Sequence, residues 1–271
     1  MVAAGQFEVR ADQTRNLQIV LKQLESAARD HRARLIVFPE TALSGYAPTQ
    51  HGCDAARIDF PALARAEGAV RAAARRFKIA VIVGTTTRAD KMYYNTALTI
   101  GPDGRVLQCY HKMHLTGWQD APARRSLDSA SYARGPKGQL KPLTVAGQRI
   151  GVQICLEVRF PEPWRLLAQA GARIFAHPTF AAAREGLWKR PAFEGNLSSR
   201  ASENACWLIH ANVSNPGQFC TSRIIDPDGL VVVAAQDECE QVISAGIDPA
   251  WLGRGNFIQA LRKDAFTLKA R

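Results

Sequence analysis

Apolar residues recur along this chain with two periods, and each change of period marks a helix giving way to a strand. Across residues 12–32, Leu17, Val20, Leu21, Leu24 and Ala28 return every three or four positions. That is the spacing of one helix face, and Asp12 stands where an N-cap belongs. A short apolar run at 34–38 follows and reads as a buried strand. A second amphipathic segment spans 61–77, with Leu63, Val70, Ala73, Ala74 and Phe77 on one side, and the apolar run 79–84 succeeds it. TALTI and RVLQCY then flank GPDG at 101–104. Pro-Asp-Gly between apolar runs is turn chemistry and predicts a hairpin.

The second half of the chain repeats this plan. ARLIVFPE at 33–40 is echoed by ARIFAHPT at 172–179, and IGPDGRVL at 100–107 by IDPDGLVV at 225–232. Between the members of each pair lie a helical segment and another apolar strand, KIAVIVG in one half and ACWLIHA in the other. Two echoes in the same order point to an internal duplication. Two similar α/β layers of this kind bury their apolar faces by packing sheet against sheet, with helices outside. No Ser/Gly linker divides the halves, so residues 1–271 read as one domain, with a core over about 2–248 and a basic, weakly helical tail at 249–271. The stretch 116–141, rich in Arg, Ser, Pro and Gly, predicts a long loop between the halves, and loops of that length are often functional.

Composition narrows the classes of function. The chain has 271 residues, 46% of them hydrophobic, enough for a large core. No apolar run approaches the roughly 18 residues that a membrane helix needs, and MVAAGQFEVR lacks the basic-then-apolar layout of a signal peptide. A cytoplasmic protein with no membrane partner is expected. The cysteines at 53, 109, 155, 206, 220 and 239 form no CxxC pair, so neither a zinc site nor a disulfide framework is indicated. The histidines lack metal-ligand spacing and no Walker or GxGxxG motif occurs, so neither a metal nor a cofactor is expected. The net charge of +11 raises the question of nucleic acid. Its arginines and lysines are spread over predicted helices and both termini, without an arginine-rich tract or an aromatic RNA motif. They read as a solvated basic surface that steers anionic substrates, with no nucleic-acid partner.

Chemistry concentrates at three strand ends. In RIGVQICLEVRFPE (149–162) an apolar run stops on Cys155, and a helix start follows at Phe160, Pro161 and Glu162. A cysteine on such a turn points its sulfur out of the sheet, within reach of a substrate and of backbone N–H groups. LIVFPETALSGY (35–46) places Glu40 after a buried strand, and YHKMHL (110–115) ends another on Lys112. A free thiol near pKa 8.5 is mostly protonated at neutral pH. A carboxylate can take its proton, and an ammonium can stabilise charge on sulfur and on a carbonyl oxygen. The N–H of Leu156, next after the cysteine, is the natural second oxyanion donor.

Glutamate, lysine and cysteine in this order, each at a strand end, resemble the nitrilase superfamily of carbon–nitrogen hydrolases, over about residues 2–248. The resemblance implies an α/β fold, an αββα sandwich of two mixed sheets packed face to face with helices outside and an internal pseudo-twofold repeat. It implies Glu40 as general base, Lys112 as oxyanion stabiliser and Cys155 as nucleophile. The family's further glutamate, four residues before an aromatic and seven before a glycine, is replaced here by Asp128, ahead of Tyr132 and Gly135. Aspartate is one methylene shorter. Glu157 stands where the family commonly has aspartate. Arg159 matches a family arginine and would either pair with Glu203 or Glu162 or hold a substrate carboxylate; RASEN (200–204) matches a structural motif.

Pro178, Thr179 and Phe180 follow the second-repeat strand at the place equivalent to the Glu40 strand and are expected to line the pocket. Trp118, just past the lysine, reads as a lid residue or as a packed surface tryptophan. The implied activity is thiol-dependent hydrolysis of a small amide or N-carbamoyl compound. Alternatives are a small nitrile cleaved through a thioimidate, or a basic nucleic-acid-binding protein on an inactive scaffold. The resemblance also implies a homodimer or larger homo-oligomer, for which a helix bearing Trp164, Leu166 and Leu167 and the basic tail are candidate contacts.

Overall fold

The structure, a computed structural model, describes residues 1–117 and 128–254. Its elements in chain order begin with β1 (Val2–Gln6), α1 (Gln13–Arg29), β2 (Leu35–Val37), α2 (Ala47–Gln50), α3 (Phe60–Phe77), β3 (Ala80–Ala89), β4 (Met92–Ile100) and β5 (Val106–His111). They continue with α4 (Asp128–Ser131), β6 (Leu143–Val145), β7 (Gln148–Val152), α5 (Pro161–Gln169), β8 (Ile174–Pro178), α6 (Arg190–Ser202), β9 (Trp207–Ala211), β10 (Arg223–Ile225), β11 (Val231–Ala234) and β12 (Gln241–Ala245).

The helices start where side chains cap them. Asp12 accepts the Arg15 N–H at 3.0 Å, and Asp59 accepts that of Ala62 at 2.9 Å. Each satisfies an N–H that the first helical turn leaves without a partner. The first helix stops at Arg29, three residues before the expected end at 32.

Strands form two six-stranded sheets, ordered β12-β1-β2-β3-β4-β5 and β11-β10-β9-β8-β7-β6. From β1 to β5 the pairings run parallel, parallel, antiparallel, antiparallel, and from β7 to β11 they run the same way. Both final hairpins shift register at matching places, Thr99/Ile100 and Ile224/Ile225. The duplication read from two short echoes therefore extends to the whole pairing scheme.

Alternation along the strands assigns three apolar layers. Leu35, Val37 and Ile82 from the first sheet meet Ile150, Ile174 and Ile209 from the second, so the sheets pack face to face. Ile36, Val81 and Val83 point the other way, against Val20 and Leu24 of α1 and Leu63 and Val70 of α3. Phe175 and Leu208 face Trp164, Leu167, Phe193 and Leu197 of α5 and α6. This is the expected αββα sandwich, and each fully buried Leu, Ile or Val adds roughly 1.5–3 kcal/mol. Trp164 and Leu167 are thereby committed to the protein's own core, which corrects their reading as subunit contacts.

Two further expectations need correction. The strand placed at 79–84 runs on to Ala89 and turns through Asp90 and Lys91, at φ +48° and +66°, into β4. That is a two-residue hairpin without glycine. Within the stretch read as a loop, α4 begins at Asp128. Trp118 lies outside the described residues.

Candidate active site

The site is assembled from the loops that leave β2, β5, β7 and β8. After β2 the chain turns through Pro39, Glu40 and Thr41, the last at φ +51°. This turn presses onto β3 at Gly84, where a Cβ would collide with the Pro39 carbonyl and the Thr41 nitrogen, so only glycine fits. Glu40 is buried as a result. Its Oε1 accepts from Lys112 Nζ and from Asn95 Nδ2, both at 2.7 Å, and its Oε2 accepts from the Phe180 N–H at 2.7 Å. The Cys155 thiol lies close enough to Glu40, Lys112 and Asp128 to feel all three charges.

Lys112 follows β5, is 1% exposed, and reaches Asp128 Oδ2 at 2.5 Å as well as Glu40. An ammonium has three donors, so one remains after both carboxylates are served. Asp128 opens α4 and also accepts from Tyr46 Oη at 2.7 Å and the Thr116 N–H at 3.2 Å. The spacing to Tyr132 and Gly135 now has a physical reason. The Gly135 N–H bonds to the Lys112 carbonyl at 2.9 Å, and a Cβ on Gly135 would strike the His111 carbonyl. The shorter side chain of aspartate thus reaches the lysine because its loop is tied to the lysine's own backbone.

Burial acts on every group here. It pushes the Glu40 carboxyl up, against the Lys112 charge and helped by that of Asp128. For Asp128 burial is again the largest influence, but the charge and hydrogen bonds of Lys112 and Tyr46 outweigh it and hold this carboxyl low. Burial opposes the Lys112 ammonium, yet Asp128 and Glu40 together keep it well above the ordinary lysine range. The Cys155 thiol is pushed up, by burial first and then by Glu40, so it rests protonated. Two carboxyls driven apart in this way divide their roles, Asp128 staying anionic while Glu40 is free to exchange a proton.

Cys155 follows β7 at φ +48°, the first residue of a short 3₁₀ turn, Cys155–Arg159. Glu157 in that turn is fully buried. Its carboxyl group accepts from the N–H of Met113 at 2.8 Å, His114 at 3.2 Å and Ile154 at 2.7 Å, and from Tyr110 Oη at 3.0 Å. It therefore ties the lysine's strand end to the cysteine's turn. From the other side, buried Arg200 donates through Nε to the Val158 carbonyl at 2.9 Å, which gives the RASEN segment its structural role.

The remaining predicted residues divide. Phe180 stacks on Tyr46, ring centroids 4.7 Å apart, both half-buried beside Glu40. Thr179 gives its carbonyl to the Glu40 N–H at 3.3 Å but turns its hydroxyl to His177 Nδ1 at 3.3 Å, beneath the site. Pro178 is buried at the end of β8, and Leu156 is half-buried beside Cys155. Arg159 is exposed and has no ion pair with Glu203 or Glu162 among the described residues; Glu203 pairs with Arg200 instead. Asn95, Tyr46 and His177 were missed: Tyr46 closes the segment that carries Glu40 but was read only as its flank, and Asn95 and His177 sit on β4 and β8, which were read for their apolar pattern alone. Among the described residues no group of three or more His, Cys, Asp or Glu could hold a metal ion, and no helix is long and apolar enough to cross a membrane.

Residues 1–254 match the carbon-nitrogen hydrolase family. An (R)-stereoselective amidase of Pseudomonas sp is 29% identical over 266 residues, 96% of this chain and 86% of the relative. A deaminated glutathione amidase of Synechocystis sp. is 28% identical over 248 residues, 88% of each. Among solved structures, a mutant amidase from Nesterenkonia sp. AN1, which shows Michael addition of acrylamide at its active-site cysteine, superposes with a TM-score of 0.76. That likeness covers 93% of this chain and 94% of the other at 24% identity, and it speaks to the fold.

Proposed function

The chain belongs to the carbon-nitrogen hydrolase family of the nitrilase superfamily, and from that premise we propose that it cleaves a small amide or N-carbamoyl compound through an acyl-enzyme on Cys155. It is a hydrolase of carbon–nitrogen bonds other than peptide bonds. The observation that carries the mechanism is the buried Glu40 carboxyl, held by Lys112 and the Phe180 N–H within electrostatic reach of the Cys155 thiol. A raised carboxylate beside a protonated thiol is a base next to a nucleophile.

The thiol proton passes to Glu40 as sulfur bonds to the substrate carbonyl carbon. Negative charge on the oxygen is met by the third N–H of Lys112 and the N–H of Leu156. As the tetrahedral adduct collapses, the C–N bond breaks and Glu40 returns the proton to the departing ammonia or amine. Water, deprotonated by Glu40, then attacks the thioester, freeing the carboxylic acid and the thiol. Asp128 stays anionic, balancing Lys112 and fixing its direction. The relatives' names support an amide, and the net charge of +11 favours a substrate that carries a carboxylate.

Ammonia release from a panel of simple aliphatic amides, ω-amides, N-carbamoyl amino acids and nitriles tests this reading. Turnover of an amide or N-carbamoyl compound is expected. Turnover of nitriles alone would replace it with a thioimidate route, and silence across the panel would overturn it.

The same reading takes the whole chain as one domain in the cytoplasm, where a thiol nucleophile stays reduced. It takes the assembly as a homodimer or larger. Leu230, Val231 and Val232 at edge strand β11, and Trp188, which is 76% exposed, leave apolar surface that a second copy would cover. Light scattering should give at least twice the 29.7 kDa chain mass; a monomer at micromolar concentration contradicts this.

A further inference from the structure

The peptide between Cys155 and Leu156 is held from beneath by a pair of buried histidines. The Cys155 carbonyl oxygen lies 3.0 Å from His177 Nε2. A carbonyl only accepts, so Nε2 carries the hydrogen. A neutral imidazole then has a bare Nδ1, and that atom lies 2.9 Å from Nδ1 of His210. His210 must therefore carry its hydrogen on Nδ1. Its Nε2 is left as a buried acceptor without a partner among the described residues, which is tolerated better than a buried N–H without one. The Thr179 hydroxyl, 3.3 Å from one Nδ1 and 3.5 Å from the other, joins the same junction.

The two rings sit opposite each other on β8 and β9, flanked by Trp164 and Phe193. Burial holds both imidazoles far below the ordinary histidine range, His177 to about 3, with Lys112 acting in the same direction on His177 and Arg223 on His210. Both are neutral at physiological pH.

A trans peptide is planar, so its C=O and N–H point in opposite directions; no peptide bond among the described residues is cis. Fixing the Cys155 carbonyl downward therefore aims the Leu156 N–H upward, to the side where the thiol meets substrate. A hydrogen bond to the carbonyl also draws electron density through the amide and strengthens its N–H as a donor. We propose that His177 and His210 are positioning residues, a neutral two-imidazole relay that orients and polarises the Leu156 N–H as an oxyanion donor. This rests on the reading of Cys155 as nucleophile and of the Leu156 N–H as part of the oxyanion site. Neither histidine touches substrate.

Two measurements test it. In ring-¹⁵N-histidine protein at pH 7, long-range ¹H–¹⁵N correlation should show His177 with its hydrogen on Nε2 and His210 with its hydrogen on Nδ1, the less common form. An Nε2–H form at His210, or an imidazolium at either position, overturns the relay. This arm uses the parent protein and does not depend on activity. For kinetics, His177→Leu cannot hold the carbonyl, whereas His177→Gln offers an amide N–H at similar reach. His177→Leu should lower kcat by about tenfold with KM within about twofold, the scale of one lost hydrogen bond. His177→Gln should recover most of the loss. A kcat for His177→Leu equal to the parent's would reduce the pair to core packing. If turnover instead survives Cys155→Ala, the reading of the nucleophile fails, and the tautomer measurement still judges the relay.

Discussion

Cys155→Ala should lower turnover by about 10⁴-fold or more, the scale on which loss of a covalent nucleophile is felt. The fold should be unchanged. Alanine keeps a Cβ, so the φ of +48° at this position carries no new strain, and only one sulfur leaves a half-buried site. The Glu157 contacts that pin the turn do not involve the Cys155 side chain. The other five cysteines offer no substitute. Cys206 and Cys220 are buried, Cys109 and Cys239 are exposed, and Cys53 gives its thiol to the Pro48 carbonyl at 3.3 Å. Intact-mass measurement during turnover should find the acyl group on Cys155 in the parent and no adduct in the variant. An adduct on any of the other five cysteines would move the nucleophile elsewhere.

What the sequence disclosed depended on how locally each feature is encoded. Glu40, Lys112 and Cys155 were legible because each ends an apolar run, and a polar side chain at the end of a buried strand leaves a mark within a few residues. Asp128 was legible through its spacing to Tyr132 and Gly135, which the structure ties to the backbone of Lys112 and its neighbour. The layers followed from periodicity, since Leu35 and Val37 face one way and Ile36 the other.

The histidine pair had no such mark. His177 and His210 stand 33 residues apart, and only the parallel register of β8 and β9 sets them side by side. Glu157 was noticed as a departure from the family pattern, but its role depends on Met113 and His114, which arrive from the other half of the chain. The β3–β4 turn was missed because Asp90 and Lys91 adopt a conformation that usually announces itself with glycine. The pairing of β12 with β1 joins the two ends of the core across more than 200 residues, where no local period operates.

The arrangement also explains why two repeats make one site. The loops after β2 and β8 are equivalent in the duplication, yet one delivers Glu40 and the other the Thr179 carbonyl and the Phe180 N–H that hold it. One copy supplies the buried carboxylate and the other holds it in place. A substitution in the second loop would therefore act through Glu40 without removing a titratable group.

Glu40→Gln should lower kcat by about 10³-fold, within the range ascribed to a general base, and it isolates proton transfer from packing. Glutamine keeps the side-chain volume, and its one oxygen can still accept from Lys112 and Asn95 while its NH2 takes the place that faced the Phe180 N–H, but it cannot take a thiol proton or activate water. The pH dependence of kcat/KM in the parent should carry the same signature. Glu40 must be ionised to act, so activity falls as pH drops through its pKa. That pKa is raised above the ordinary value of 4.5, chiefly by burial, so the acid limb should lie above 4.5 and be absent from what activity remains in Glu40→Gln. The Asp128 charge contributes to the rise. Asp128→Asn removes that charge and leaves the Lys112 ammonium to Glu40 alone, and both changes favour the ionised form. The acid limb should therefore move to lower pH in Asp128→Asn even as kcat falls through the loosened lysine. A limb that stays in place in Asp128→Asn, or a Glu40→Gln variant within about tenfold of the parent, would mean that another group accepts the proton.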